Sequence, residues 1–171
     1  FLRIHQAIKG EPTQFFEMHL KGKEWISETL EIALGSIRSK VEFQVSPSAF
    51  FQPNTFSAMH LYQTALGLAG LSKEAILYDL YCGTGTLGLL AAPFVQKVIG
   101  IELSAESSLD ARENAKRQGI DNIEVFTGSV GDVLRDHNDL PPPTVVLLDP
   151  PRTGLDPVSL KEVLSLACKK I

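Results

Sequence analysis

Residues 76–88 read ILYDLYCGTGTLG and join an apolar run to the glycine pattern Gly-x-Gly-x-x-Gly. The run from Ile76 to Tyr81 has the length and composition of a buried strand, and a helical pattern begins at Thr86. Glycines let the chain turn tightly and let a ligand approach the backbone, while the first turn of a helix offers free N–H groups. A strand, this loop and a helix in that order predict a site for a nucleotide-like cofactor at Gly83 and Gly85.

The alternation of strand and helix continues to the end of the sequence. Strand-like apolar runs lie at residues 76–81, 97–102, 122–126 and 144–149. Helical patterns follow at residues 105–118 with Ser104 as N-cap, near 129–136, and after Asp156–Pro157. This alternation predicts an α/β fold with a parallel, doubly wound, Rossmann-like sheet. We expect the sheet to be incomplete at its C-terminal end, because the sequence stops after a helix, where a fifth strand would begin.

The first third of the sequence follows a less regular pattern. The elements expected there are short strands around Ile4 and over residues 15–20, a helix over 24–39, a strand over 41–45 and a helix from about Ser57 to Gly70. We therefore predict that residues 1–45 are the remnant of a preceding α+β domain. Residues 46–171 are predicted to form a cofactor-binding domain that lacks its last strands.

Composition excludes several classes of protein. With 16 Lys plus Arg against 20 Asp plus Glu, the net charge of −4 argues against a wholly basic nucleic-acid binder. Two cysteines are too few for a disulfide framework or an all-cysteine zinc site, which favours a reducing, cytoplasmic location. The 4 histidines are scattered without the spacing of metal ligands, so we expect no metal. The longest uncharged run, residues 80–96, is interrupted by glycine and proline and makes a poor membrane span.

Carboxylates at strand ends discriminate between two kinds of cofactor. Glu102 ends the next strand at the roughly 20-residue spacing from the glycine loop at which an acidic residue accepts ribose hydroxyls. Asp79, just before the loop, would oppose a pyrophosphate but suits a cationic sulfonium ligand. Asp149-Pro150-Pro151-Arg152 places a second carboxylate and a donor-poor turn beside the same crevice. These features favour S-adenosylmethionine over a dinucleotide.

Three motifs together resemble the RNA uracil-5-methyltransferase family. They are Phe50-Phe51-Gln52-Pro53-Asn54, Asp79-Leu80-Tyr81-Cys82-Gly83-Thr84-Gly85 and Leu148-Asp149-Pro150-Pro151-Arg152-Thr153-Gly154-Leu155. The resemblance runs from about residue 41 to 160. It implies a methyltransferase that uses S-adenosylmethionine to form 5-methyluridine in tRNA or ribosomal RNA, with RNA as the partner of the full-length enzyme.

The resemblance also implies roles for individual residues. The implied cofactor-binding residues are Gln52, Tyr81, Gly83, Gly85, Thr86, Glu102, Ser129 and Asp149. The implied substrate-binding residues are Phe50, Asp149 and Arg152. Among these, Glu102 would hold the ribose, Ser129 would contact the adenine, and Phe50 would stack on the target uracil. Thr86 stands where the family often has Asn, so its side-chain contact departs from the family pattern.

The catalytic nucleophile of this chemistry has no counterpart in the sequence. A thiolate must add to uracil C6, and a base must later remove the C5 proton. The family carries that thiol in Ser-Cys-Asn-Pro at the end of the fifth strand and a Glu further on, and neither motif is present here.

No catalytic residue is therefore assigned within the sequence. Cys82 is predicted to face the core, and Cys168 to lie on the apolar side of the last helix. We expect the nucleophilic Cys and the base Glu beyond Ile171, the last residue. The 171 residues are expected to be a fragment that binds cofactor without turnover.

Three other functions remain open at this point. An amino-methyltransferase acting on adenine or guanine would use Asp149-Pro150-Pro151 to receive the exocyclic amine, although an aromatic residue usually stands where this chain has Arg152. A nicotinamide-dependent oxidoreductase domain would bind NAD rather than S-adenosylmethionine. A non-catalytic module that binds cofactor or RNA is the third alternative.

Overall fold

A computed structural model describes residues 2–6, 14–168 and 170–171 of the chain. The strands in this part are β1 (Leu2–Gln6), β2 (Gln14–Met18), β3 (Ile26–Leu34), β4 (Ile37–Val45), β5 (Ile76–Leu80), β6 (Lys97–Glu102), β7 (Ile123–Thr127) and β8 (Val145–Leu148). The α-helices are α1 (Thr55–Ala69), α2 (Thr86–Ala91), α3 (Ala105–Gln118), α4 (Val130–Asp136) and α5 (Pro157–Ser165). Within the described residues, no helix combines the length and the apolar character needed to cross a membrane.

Strands β5 to β8 form one parallel sheet in the order β7-β6-β5-β8. Leu77 on β5 is in register with Val98 on β6 and with Val145 on β8. Strands β6 and β7 lie on one side of β5, and β8 lies on the other side. The direction in which successive strands are added to the sheet therefore reverses at β5. In such sheets ligands bind outside the carboxyl ends of the strands at this point. The predicted α/β, doubly wound sheet is confirmed.

The N-terminal part of the chain forms antiparallel hairpins, so the helix predicted over residues 24–39 is wrong. Strands β3 and β4 pair from Ile26↔Val45 to Leu34↔Ile37 across a two-residue turn. Gly35 begins that turn with φ 61°, a value that glycine adopts without strain. The described residues before position 46 consist of strands and connecting turns, and their origin as the remnant of a preceding α+β domain stays a prediction.

The β3–β4 hairpin and the parallel sheet share one hydrophobic core. Leu30 and Phe43 of the hairpin are fully buried in a cluster that also contains Leu66 of α1, Leu77 of β5 and Leu89 of α2. Burial of this face removes large aliphatic and aromatic side chains from water, which is the main favourable term in folding. The hairpin thereby fixes the position of the segment between β4 and α1, where the Phe50–Asn54 motif lies.

Candidate functional site

The glycine loop connects β5 to α2 as predicted. Gly83 and Gly85 have φ values of 55° and 78°, in the left-handed region that glycine populates freely. Gly88 serves a different purpose, because a Cβ placed there would stand 3.0 Å from an Asp79 carboxylate oxygen and 3.0 Å from a Val98 methyl group. The third glycine therefore lets the first turn of α2 pack directly on the sheet.

An open cleft lies at the carboxyl ends of β5 and β8. Its lining residues are Phe50, Phe51, Gln52, Tyr62, Asp79, Tyr81, Cys82, Gly83, Thr84, Thr86, Leu87 and Asp149. Most of the residues named for cofactor or substrate from the sequence are thus brought together here. The motif after β4, the glycine loop and the end of β8 each contribute one wall.

A second open cleft adjoins the first at Tyr81, which lines both. Ser129 lies in this second cleft together with Leu103 and Gly128. Tyr81 has φ 65°, a left-handed conformation that is uncommon for a residue with a side chain. Such conformations cluster at ligand sites, where surrounding structure holds them in place. Tyr81 therefore lies where the two clefts meet.

Three predicted residues line neither cleft. Gly85 is the N-cap residue of α2, and the carboxylate of Glu102 accepts the N–H of Gly83 in the glycine loop. Arg152 is exposed in the turn from Pro151 to Gly154, whose N–H donates to the Pro151 carbonyl at 2.8 Å. The structure therefore places the Arg152 backbone beside the second cleft and does not bring its side chain into the lining of either one.

Asp79 is the buried acid of the site, with only 2% of its surface exposed. One carboxylate oxygen accepts the N–H of Gly88 at 2.8 Å. Loss of hydration raises the pKa of Asp79 to about 7, the Gly88 hydrogen bond opposes that rise, and the charges of Asp149 and Glu102 add to it. A cation bound in the cleft would supply the opposite charge that this carboxylate lacks.

Glu102 is held between two backbone donors. Its carboxylate accepts the N–H of Gly83 at 2.9 Å and the N–H of Ser104 at 2.7 Å. This arrangement joins the end of β6 to the glycine loop and fixes the orientation of the carboxylate. Each carboxylate oxygen has a second lone pair, so both remain able to accept a hydroxyl of a bound ribose.

The electrostatic character of the cleft is acidic. Asp79 and Asp149 line it, Glu102 lies against the loop, and no lysine, arginine or histidine is among the lining residues. Carboxylates grouped in this way attract a cationic ligand and repel a pyrophosphate. The geometry therefore supports a sulfonium cofactor over a dinucleotide.

Tyr62 of α1 is a cleft residue that the sequence analysis did not assign. Burial, followed by the charges of Asp149 and Asp79, raises the pKa of Tyr62 to about 12. A buried tyrosine hydroxyl normally has a polar partner. A polar partner for Tyr62 could therefore be expected from the sequence. The sequence did not show that the hydroxyl lies near the carboxylates of Asp79 and Asp149.

The chain that leads into the Phe50–Asn54 segment is anchored by a row of side chains on α3. Four residues spaced four apart on α3 contact alternate residues of the chain from β4 onward: Glu106 with Ser48, Asp110 with Ser46, Asn114 with Gln44 and Gln118 with Glu42. We call these contacts the α3–β4 ladder.

The two central contacts of the α3–β4 ladder are the best defined. Asn114 is fully buried, accepts the N–H of Gln44 at 2.8 Å and donates to its carbonyl at 3.1 Å. Asp110 accepts the N–H of Ser46 at 2.8 Å and its hydroxyl at 2.7 Å. At the far end of the segment, Asn54 caps α1 by accepting the N–H of Ser57 at 3.0 Å. Both ends of the segment that carries Phe50 and Gln52 are thus fixed.

Cys82 lacks the environment of a reactive thiol, and Cys168 lines neither cleft. Cys82 is buried, and burial together with the charges of Asp79 and Glu102 raises its pKa well above the usual value. A nucleophilic cysteine needs the opposite, a lowered pKa next to positive charge. Cys168 packs partly buried against the cluster formed by α4, α5 and the sheet. Within the residues the structure describes, no group of three or more His, Cys, Asp or Glu side chains is arranged to hold a metal ion.

The last residues of the chain lie beside β8, away from the two clefts. The carbonyl of Lys170 accepts the N–H of Val146 at 3.0 Å, which brings the chain alongside the edge strand of the sheet. Ile171, beyond which the nucleophilic Cys and the base Glu are expected, is 60% exposed and lines neither cleft. The position of those two groups beyond Ile171 therefore stays a prediction.

The chain is similar in sequence to known RNA methyltransferases. The sequence profile of the tRNA (uracil-5-)-methyltransferase family matches residues 16–167. An uncharacterized RNA methyltransferase of Protochlamydia amoebophila is 51% identical over 175 residues, which take in 100% of this chain and 39% of the relative. A second one, from Caldanaerobacter subterraneus, is 38% identical over 179 residues, with 99% of this chain and 39% of the relative covered.

A solved structure matches as well. The tRNA (uracil-54, C5)-methyltransferase of Pyrococcus abyssi, crystallised in complex with S-adenosyl-L-homocysteine, superposes with a TM-score of 0.62 at 30% sequence identity. The match covers 88% of this chain and 33% of that one. The chain therefore spans well under half of the length of each of these three proteins.

Proposed function

The chain belongs to the tRNA (uracil-5-)-methyltransferase family, and from that membership we propose that it is the cofactor-binding portion of an RNA methyltransferase. The complete enzyme transfers the methyl group of S-adenosylmethionine to C5 of a uridine in tRNA or ribosomal RNA. The observation that carries the proposal is the acidic cleft beside the glycine loop, with Asp79 and Asp149 in its lining. This cleft has the charge that a sulfonium and an ammonium group require.

The cofactor is proposed to extend across both clefts, with its ribose at Glu102. Gly83, Gly85 and Thr86 form the loop over its amino-acid end, and Gln52 faces the methyl group from the opposite wall. The ring of Tyr81 then packs between the two ends of the cofactor. Ser129 caps α4, with its hydroxyl oxygen accepting the N–H of Asp132 at 3.1 Å, and it would meet the adenine in the second cleft.

The target base is proposed to enter from the side of Phe50, whose ring is 71% exposed at the rim of the cleft. An exposed aromatic ring at this place can stack on a base that has been flipped out of its RNA. Asp149 would lie between cofactor and base. Arg152 is proposed to contact the base or a phosphate, with its side chain turned towards the RNA.

The covalent chemistry requires groups that these 171 residues do not supply. A thiolate adds to C6 of uracil, and the electron pair at C5 attacks the methyl group while S-adenosylhomocysteine leaves. A base then removes the C5 proton, and the thiolate is expelled. Since Cys82 is buried with a raised pKa, we propose that another part of the protein provides thiolate and base. RNA as the partner and a cytoplasmic location remain predictions.

Ligand binding and product analysis test the proposal. Isothermal titration of the full-length protein should show binding of S-adenosylhomocysteine and no binding of NAD; the reverse result would support an oxidoreductase. Incubation with S-adenosylmethionine and unmodified RNA, followed by mass spectrometry of the nucleosides, should yield 5-methyluridine. Methylated adenosine or guanosine in its place would favour the amino-methyltransferase alternative, and binding without any product would favour a non-catalytic module.

A further inference from the structure

Tyr62 presents an unpartnered hydroxyl to the cleft. The residue is only 7% exposed and lines the cleft with Asp79 and Asp149. Its hydroxyl makes no hydrogen bond with any described residue. Among the residues that the structure describes, the only fully buried side-chain oxygen or nitrogen atom without a hydrogen-bond partner is the hydroxyl oxygen of Ser39. The Tyr62 oxygen is therefore not sealed in the core, and the open space that it reaches is the cleft.

The amino-acid end of the cofactor places one requirement on the polar groups of the cleft. The amino-acid end of S-adenosylmethionine carries an ammonium and a carboxylate on the same carbon atom, so their partners must lie next to each other. Asp79 and Asp149 suit the ammonium, but a ligand carboxylate needs donors in a cleft whose lining has no cationic side chain. The hydroxyls of Thr84 and Thr86 are 3.2 Å apart and bond to each other, which leaves only one of these two O–H groups free to donate to a ligand.

We propose, on the basis of the proposed function, that the Tyr62 hydroxyl donates to the α-carboxylate of the cofactor while the neighbouring aspartates receive its ammonium. The position of Tyr62 beside Asp79 and Asp149 gives the adjacent donor and acceptors that an α-amino acid group needs. The phenol is a donor at neutral pH, because burial, followed by the charges of Asp149 and Asp79, raises its pKa to about 12. Tyr62 is thus a binding residue for the amino-acid end of the ligand, with no part in the methyl transfer itself.

The test compares two ligands that differ by one group. S-adenosylhomocysteine carries the carboxylate, and S-adenosyl-3-thiopropylamine is the same molecule without it. In the full-length protein, Tyr62→Phe should weaken binding of S-adenosylhomocysteine by roughly tenfold, the effect of one hydrogen bond to a charged group. The affinity for the decarboxylated analogue should remain unchanged. Tyr78→Phe is the matched control, because the Tyr78 hydroxyl is likewise buried but donates to the Pro141 carbonyl at 2.9 Å, outside the cleft.

The possible outcomes separate this inference from the proposed function. If Tyr62→Phe weakens both ligands equally, the hydroxyl acts through Asp149 or through folding, and the inference is overturned. If the variant binds both ligands as tightly as the unmodified protein does, the inference is overturned as well. If the unmodified protein binds neither ligand, the proposed function itself fails.

Discussion

Replacing Asp79 by asparagine is predicted to stabilise the protein at pH 8 and to weaken its binding of a cationic cofactor. The amide oxygen of asparagine can still accept the N–H of Gly88, which lies 2.8 Å from the carboxylate in the native protein. The negative charge, however, is lost from a site that is almost fully buried. A residue kept for ligand binding at the expense of folding should show both effects in one substitution.

The size of the stabilisation follows from the pKa of Asp79, which rises from 3.8 to about 7 on folding. Below pH 3.8 the carboxyl is protonated in both states and contributes nothing to the pH dependence. As the pH rises towards 7, the unfolded chain releases the proton while the folded protein retains it, so stability falls. At about 1.4 kcal/mol per pKa unit, the loss reaches about 4 kcal/mol and is complete above pH 7.

Denaturant unfolding between pH 4 and pH 8 measures this contribution directly. The free energy of unfolding of Asp79→Asn should equal that of the unmodified protein near pH 4 and exceed it by up to about 4 kcal/mol at pH 8. Asp132→Asn is the control, because Asp132 is exposed and hydrogen bonds from Ser129 and Arg135 lower its pKa. Its effect should have the opposite sign and be confined to a slight loss of stability above pH 4.

One result would refute the reasoning about Asp79. If the stability difference between Asp79→Asn and the unmodified protein were the same at pH 4 and pH 8, the carboxyl would not change its pKa on folding. The ligand side of the prediction has its own measure, because the same variant should bind S-adenosylhomocysteine at least tenfold more weakly at pH 8. Unchanged affinity there would separate the buried charge from cofactor binding.

Three further predictions concern packing, anchoring and thiol chemistry. Gly88→Ala should lower the free energy of unfolding by about 1–3 kcal/mol, since its Cβ would meet Asp79; Gly67→Ala, at an exposed helical position, should raise it by about 1 kcal/mol. Asn114→Ala leaves the N–H and carbonyl of Gln44 unpaired and should cost about 1–3 kcal/mol in denaturant unfolding; a neutral effect would contradict the α3–β4 ladder. In native protein at pH 7.5, a thiol reagent followed by peptide mass spectrometry should label Cys168 well before Cys82, and rapid labelling of Cys82 would contradict its burial.

The parallel half of the fold was predictable because its signals are local. The strand over residues 97–102 and the helix over 105–118 have the bounds expected from the sequence, with Ser104 as the N-cap. Buried parallel strands are apolar without interruption, and side-chain caps mark the helix starts. Asp156 likewise caps α5 just before Pro157, as predicted. These features depend on a few neighbouring residues and not on the rest of the fold.

The β3–β4 hairpin was not predicted because its apolar residues satisfy two periodicities at once. Ile26, Leu30 and Leu34 are spaced four apart as on a helix, but Leu30 and Ile32 are buried together, as alternation on a strand requires. The choice is made by tertiary packing of this face against α1 and α2, which no local pattern reports. The two-residue turn at Gly35 was the remaining local clue.

The candidate site was predictable as far as strand ends determine it. Residues at the carboxyl ends of parallel strands meet at one edge of the sheet, so Tyr81 and Asp149 lie where the sequence pattern suggested. The contribution of α1 could not be foreseen, because it depends on how the hairpin orients the chain before that helix. Tyr62 therefore emerged only from the structure. The contact assigned to Arg152 stays a prediction, because the residue is exposed in a turn and lines neither cleft.

The α3–β4 ladder joins two elements whose repeats do not match. Four residues of an α-helix advance about 6.0 Å and two residues of a strand about 6.8 Å, so successive contacts drift apart by about 0.8 Å. The two central contacts use the short side chains Asp110 and Asn114, and the outer two use Glu106 and Gln118, each longer by one methylene group. At the Gln118 end the extra length spans the offset, whereas at the Glu106 end the chain has left β4 and Ser48 lies in a turn. A shift of one residue between helix and strand would break all of them together, so the ladder sets the alignment of β4 on α3 and, through it, the distance of Gln52 from the glycine loop.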